Sequence, residues 1–358
     1  MNLHDVLNKK EFTKEDVVFL LNLDSVDAIE TLRAKAEDLL LRLRGNKVYF
    51  RGLVEFSNIC TSDCYYCGIR KSNTAVERYQ LSKEQIVDAA LWCAGQGYGS
   101  VVLQSGERTD CAFVDSVVEV VREIKRRSVS NALPEGIGIT LCVGEQTEET
   151  YRRFYDAGAH RYLLRVESTS PEIFRMIHPE KQSLENRINC LKILKKIGYK
   201  TGTGVMIGIP GQTVQDLAND ILFFKELDAD MIGMGPYIVH RQTPMAVYEN
   251  NVFAKHDEIF RMSLKMIAVT RLVLRNVNIA ATTALQSMKP DGREQGLTFG
   301  ANVIMPQLTP TEVRKNYLLY ENKPCLDENA EQCRSCLTGR IGSVGRVVAV
   351  NEWGDRPL

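Results

Sequence analysis

Three cysteines crowd one short stretch of this chain, FSNICTSDCYYCGIR. Cys60, Cys64 and Cys67 follow the spacing C-x3-C-x2-C, with Tyr66 just before the last. Thiolates this close suit soft metals, either zinc or an iron–sulfur cluster. A structural zinc ion asks for four ligands, and the next cysteine along, Cys93, falls within a stretch of helical period. Three thiolates on a [4Fe–4S] cube would leave one iron open, as a catalytic zinc site keeps one position open. The alternatives are a zinc knuckle with a distant fourth ligand and three unrelated thiols. A second trio, Cys325, Cys333 and Cys336, is spaced C-x7-C-x2-C in a polar tail, where the zinc reading carries more weight. The five histidines, at 4, 160, 178, 240 and 256, form no ligand-spaced pair. None is given a catalytic role, and His240 is expected at a surface or capping position.

Other candidates sit where strands should end. QSGE, Gln104 to Glu107, closes one apolar run. In RYLLRVEST, Arg165 and Glu167 alternate with Leu164 and Val166, which places both on one face of a strand. Inward charges are costly unless paired or ligand-bound; a structural salt bridge is the plainer reading. Arg187 opens a helical stretch, LENRINCLK. The glycines of GVMIGIPGQT allow close backbone approach, and Thr213 is a natural N-cap. Thr282 and Thr283 end another apolar run, either as hydroxyl donors or as packed core.

The elements that must position these residues alternate along the chain. Apolar runs at 48–56, 100–104, 137–143, 161–166, 203–209, 230–235, 277–282 and 301–305 read as buried strands. Stretches of helical period fill 82–96, 113–127, 146–157, 183–197, 213–227 and 257–275, while 285–300 holds at most a brief helix. Residues 1–44 read as helices. Thr13-x-x-Asp16 and Ser82-x-x-Gln85 are capping boxes. The pattern predicts an α/β fold, a (βα)8 TIM-type parallel barrel, with an open doubly wound sheet as runner-up. Three parts are expected: an N-terminal helical cap at 1–46, the barrel at 47–306, and a C-terminal cysteine-bearing extension at 307–358.

Composition narrows the function classes. The chain has 358 residues, 44% of them hydrophobic, and Lys plus Arg balances Asp plus Glu at 45 each. That balance offers no argument for nucleic acid or an anionic membrane. No signal peptide and no run of about 18 apolar residues appears. A cytoplasmic protein is expected, with its ten cysteines as ligands or buried thiols.

With C-x3-C-x2-C and Tyr66 on the loop after the first strand, the chain resembles the radical S-adenosylmethionine (SAM) superfamily. The resemblance implies a [4Fe–4S] cluster on Cys60, Cys64 and Cys67. Its open iron takes the amino and carboxylate groups of SAM, and one electron cleaves the S–C5′ bond to give a 5′-deoxyadenosyl radical. It also implies SAM-binding roles for Tyr66 and for Gln104, Ser105, Gly106 and Glu107, which resemble the family's Gly-Gly-Glu element with Ser105 in place of a glycine. Arg165, Arg187 (to the SAM carboxylate), Glu167 (to its ribose or sulfonium region) and Met206 join them. Cys142 stands where a small serine is usual, and is read as its substitute. More narrowly, YFRGLVEFSNICTSDCYYCGIR, VVLQSGE, RYLLRVE, LENRINCL, GVMIGIPGQT, IAATTAL and ANVIMPQLTP follow in the order seen in the HydE family of [FeFe]-hydrogenase maturases, a biotin synthase-like subgroup. This likeness covers nearly all of the chain after residue 47. It implies action on a cysteine-bound Fe(CO)2(CN) unit made by HydG, in a cavity walled by Arg161, Thr282, Thr283, Met305 and Tyr317. An auxiliary [2Fe–2S] or [4Fe–4S] cluster on the tail trio is implied too, partly occupied or empty. The implied partners are HydG, HydF and an electron donor of the flavodoxin or ferredoxin class, with the chain itself a monomer. The alternatives are a biotin synthase-like enzyme or HydE paralogue acting on a small sulfur-containing substrate, and a non-enzymatic iron–sulfur carrier.

Overall fold

The eight apolar runs become eight parallel strands in the computed structural model, which describes residues 1–357. They are β1 (Lys47–Ser57), β2 (Ser100–Ser105), β3 (Gly138–Cys142), β4 (Arg161–Leu163), β5 (Lys200–Thr203), β6 (Met231–Ile232), β7 (Asn278–Ile279) and β8 (Val303–Ile304). Neighbours pair in chain order from β1 to β7, and β8 lies beside β1. The seam between β7 and β8 closes through Asn302 N–H to Ile279 O and Ala281 N–H to Val303 O, each 2.9 Å. The expected barrel is therefore present. Its strands are apolar on both faces because helices cover the outside and side chains fill the inside.

Five helices around the barrel begin where a capping residue stands. Ser82, Asp110, Thr147, Ser183 and Thr213 cap Lys83–Gly95, Cys111–Arg127, Glu148–Asp156, Leu184–Ile197 and Val214–Glu226. Both expected capping boxes form, at Thr13 with Asp16 and at Ser82 with Gln85. The stretch 285–300 folds as two short helices, Thr283–Met288 and Gly292–Thr298.

Two strands differ from expectation. β5 begins at Lys200, not 203, and Met206–Ile207 forms a separate short ladder with Gly235–Pro236. β4 ends at Leu163, and beyond it Glu167 takes a positive φ of 65°. Arg165 and Glu167 therefore do not share an alternating strand. They reach the cavity from an irregular rim segment pinned by Glu167 N–H to Gly204 O and Met206 N–H to Glu167 O.

The tail after residue 306 packs closely on the barrel. β9 (Val347–Ala349) runs parallel to the start of β1, and residues 352–356 close the barrel's lower end. Arg161 is found here, a correction to its expected place on the cavity wall. As the first residue of β4 it faces the opposite end, donating to Asp355 (2.6 Å), Ser100 Oγ (2.8 Å) and Trp353 O (2.6 Å).

His160 stacks on Trp353 with ring centroids 4.4 Å apart. Burial pushes its imidazole down to about 4, although Asp355 opposes the shift. An unfolded histidine titrates near 6.5. Between about pH 6.5 and 4 the unfolded chain gains a proton that the folded one refuses, so acid weakens the plug. Asp355 acts in the same direction at lower pH: burial pushes its carboxyl up, but His160 and Arg161 hold it below the usual range. In a Trp92→Phe background, Trp353 emission is expected to report a loss of roughly 1–3 kcal/mol across that window. A flat profile would show that His160 does not govern the plug.

Candidate active site

At the carboxyl ends of the strands lies a cavity of about 340 Å³. Every residue expected to bind SAM or substrate lines it except Arg161: Cys60, Cys64, Tyr66, Cys67, Gln104, Ser105, Gly106, Glu107, Cys142, Arg165, Glu167, Arg187, Met206, Thr282, Thr283, Met305 and Tyr317. Parallel pairing brings Glu55, Gln104 and Cys142 to one level across β1, β2 and β3.

The cysteine loop is held from several sides. Thr61 N–H donates to Glu107 O at 2.8 Å, and Glu107 N–H to Cys60 Sγ at 3.3 Å. Ser62 Oγ donates to the Glu107 carboxylate at 2.5 Å. Cys64 Sγ donates to Gln182 Oε1 at 3.4 Å. The Arg78 guanidinium ties down the carbonyls of Asn58, Ile69, Arg70 and Asn73. Gly106 must be glycine, since a Cβ there would lie 2.4 Å from Ile59 O and 2.8 Å from Cys60 Cβ.

The donor set fits a polynuclear, positively charged group. Around one tetrahedral zinc, with Zn–S near 2.3 Å, sulfur atoms lie about 3.8 Å apart. Among the described residues, Cys325, Glu328 and Cys333 form the one set of three ligand atoms that all lie within 4.8 Å of one another. Cys60, Cys64 and Cys67 are not in that set, and all three line the cavity from one loop. Burial pushes all three thiols up, Cys64 to about 12, and Cys64 and Cys60 push Cys67 further. Only a cationic group can hold them as thiolates.

Toward the far wall, Arg165 pairs with Glu167 at 2.9 Å. Arg187 is buried, paired with Glu145 at 2.5 Å and donating to Arg165 O at 2.6 Å. Asp220 accepts from Thr169 N–H (2.7 Å) and Oγ1 (2.6 Å), holding the chain two residues past Glu167. Thr282 is the N-cap of the short helix rather than a strand end, and Thr283 Oγ1 accepts from Arg293 at 3.0 Å. His240 is buried, not on the surface, and its ring accepts from Gln242 N–H, a local cap.

Sequence reasoning missed Glu55, Gln307, Tyr320 and Lys323, of which all but Gln307 line the cavity. A lone carboxylate in the apolar run VYFRGLVEF was a visible signal for Glu55. Two thiols of the tail trio converge. Cys325 and Cys333 meet with Glu328, while Cys336 is exposed. Cys336 lies three residues past Cys333 on the helix Ala330–Ser343, and of the two only Cys333 is buried. The Cys325 thiol donates to Cys333 and lowers its pKa.

A parallel barrel with three thiols after its first strand and a glycine-tight rim opposite defines a radical SAM fold, and residues 54–224 match the radical SAM superfamily. The chain is 41% identical over 351 residues to the [FeFe] hydrogenase maturase subunit HydE of Thermotoga maritima, spanning 98% of this chain and 95% of that one. It belongs to the HydE family and is a radical SAM enzyme, whose family cofactors are a [4Fe–4S] cluster and SAM. Two solved structures share its fold. Methylornithine synthase PylB superposes with a TM-score of 0.79 at 24% identity, covering 98% of each chain. The maturase HydG of Carboxydothermus hydrogenoformans superposes at 0.77 and 18% identity, covering 97% of this chain and 79% of that one. No helix among the described residues is long and apolar enough to cross a membrane.

Proposed function

We propose that the chain is a HydE-type maturase, working with HydG and HydF on a cysteine-bound Fe(CO)2(CN) unit on the way to the diiron subsite of an [FeFe]-hydrogenase. Three thiols on one loop, facing one cavity beside the Gly106 rim, carry the reading; the identity to HydE across nearly the full chain supports it. Cys60, Cys64 and Cys67 hold the [4Fe–4S] cluster. When bound, the cluster with SAM supplies a 5′-deoxyadenosyl radical by one-electron cleavage. The protein's own residues bind, orient and exclude water. Gly106 lets the rim approach the methionyl group, Arg165 and Glu167 face the ribose and sulfonium, and Thr282, Thr283, Met305 and Tyr317 wall the substrate end. The test is two-fold: reduced, reconstituted protein should release 5′-deoxyadenosine from SAM, and omitting it from an in vitro maturation mixture with HydG and HydF should leave the hydrogenase inactive. A chain that cleaves no SAM is a carrier; one that cleaves SAM without supporting maturation is a paralogue with another substrate.

Glu167→Gln should weaken SAM binding on the order of tenfold, since a charge-assisted hydrogen bond is worth roughly 1.5–3 kcal/mol. Cluster assembly should be untouched. Unchanged affinity in equilibrium dialysis would leave Glu167 as the structural partner of Arg165.

In the tail, Cys325, Glu328 and Cys333 are spaced for a single ion, and an auxiliary cluster on Cys325, Cys333 and Cys336 is the alternative occupant. Replacing Cys325 and Cys333 with Ser is expected to leave 5′-deoxyadenosine formation within about twofold of the parent, as for changes remote from reacting groups. A loss in folded protein would tie the tail to the chemistry.

A further inference from the structure

Glu55 and Lys323 form a second charged pair on the cavity wall, apart from Arg165 and Glu167. Glu55 comes from β1; Lys323 comes from the tail segment that crosses the barrel rim, where Leu319 O accepts from Gly68 N–H at 3.1 Å. Both side chains are nearly buried, and Lys323 Nζ lies 2.6 and 2.8 Å from the two Glu55 oxygens. Gln307 Nε2 donates to Glu55 Oε2 at 2.6 Å, and Lys323 also donates to Tyr317 O at 3.1 Å. Glu55 Oε1 has no protein donor besides Lys323, which leaves acceptor capacity on that oxygen.

A buried pair of this kind costs desolvation that an apolar pair of similar volume would avoid. Gln104, level with Glu55 on β2, and Tyr317 and Tyr320 line the same cavity, and none of them carries a charge to meet a ligand's. A lone anion would be repelled by Glu55 and a lone cation by Lys323. A ligand that carries both charges close together meets each with its opposite.

We propose that Glu55 and Lys323 seat the zwitterionic headgroup of an α-amino acid, the carboxylate on Lys323 and the ammonium on Glu55 beside Gln307. This inference rests on the proposed function, and names the part of a substrate that this wall grips. Exchange needs no net charge change, because the ligand replaces the partners that the two side chains give each other.

The test uses reconstituted full-length protein with SAM and no reductant, and ligand-observed NMR with three probes. S-methyl-L-cysteine carries both charges, 2-(methylthio)ethylamine only the ammonium, and 3-(methylthio)propionate only the carboxylate. The parent should bind the amino acid at least about tenfold tighter than either truncated probe, as one lost charge-assisted contact requires. Lys323→Gln should erase the preference over the amine, and Glu55→Gln the preference over the acid. Iron content and circular dichroism establish that both variants fold. Equal binding of the three probes by the parent, no binding of any, or variants that keep both preferences would overturn the proposal and leave the pair as a seal between tail and barrel. Because no turnover is involved, failure of SAM cleavage, measured separately with dithionite, would count against the proposed function and not against this seat.

Discussion

Changing Cys60, Cys64 and Cys67 together to alanine is expected to remove about four irons per chain after anaerobic reconstitution, the content of one cube, and to abolish 5′-deoxyadenosine formation. The loss should be complete rather than graded, because the three thiols are not independent ligands. Burial pushes each one up, and Cys67 is pushed further by its two neighbours. With one thiol gone the other two would sit as neutral groups in a dry cavity, so single variants should fall most of the way to the triple. The loop itself should persist. Its hydrogen bonds run from Thr61 to Glu107, from Arg78 to four carbonyls, and from Asn73 Nδ2 to Gly68 O at 2.7 Å, and the thiols add just two long contacts, from Glu107 N–H to Cys60 Sγ (3.3 Å) and from Cys64 Sγ to Gln182 (3.4 Å). Circular dichroism and the unfolding midpoint should therefore stay close to the parent. Unchanged iron in the triple variant would mean that the thiols are not the ligands.

What could be read from the chain follows from what each signal depends on. Strands buried on both faces must be apolar throughout, so all eight appeared as runs even where the final ladder is two residues long. The chemistry of the loop after β1 was legible because three thiols at one spacing have few uses. Glu167 was not legible in detail. Alternation suggested a strand, whereas Asp220, far along the chain on the helix Val214–Glu226, holds Thr169 just past Glu167, where the strand has already ended. Arg161 was misplaced for a related reason: within an apolar run, its position at the strand's first residue decides which end it faces. The tail misled most. Its polar composition reads as a separate extension; Tyr317 was expected on the cavity wall and lines it, but Tyr320 and Lys323 line it too and β9 lies along β1. A three-residue strand carries no periodic signal, and an inward lysine looks like a solvated one until its partner is known.

Arg271→Met should cost at least about 3 kcal/mol of stability, the largest effect expected from any single change remote from the cavity. Arg271 lies near the end of the helix His256–Leu274 and is fully buried. Its guanidinium donates to Gly300 O through Nε (3.0 Å) and Nη2 (2.9 Å), to Arg275 O (2.5 Å) and Val277 O (2.7 Å) through Nη1, and to Asn302 Oδ1 (3.2 Å). Asn302 passes the connection on, accepting from Ile279 N–H and donating to Asn278, both at 2.9 Å. One side chain thus ties the helix end, the entry to β7 and the entry to β8, which is the seam that closes the barrel. Burial lowers its pKa to about 9, with Arg44 and Arg346 adding to the shift, so the charge is carried at a cost that methionine would relieve. Two effects compete. Replacing a buried charge with an apolar side chain of similar length is often neutral or stabilising when its partners leave with it. Here the partners are backbone carbonyls, which stay behind, and each buried unsatisfied group costs roughly 1–3 kcal/mol. Three of them outweigh the relief. Arg271→Lys should recover only part of the loss, since one ammonium cannot reach the fan of acceptors that a planar guanidinium spans. The denaturant midpoint of the full chain measures both. A methionine variant as stable as the parent would show that the backbone bonds between β7 and β8 close the barrel without help.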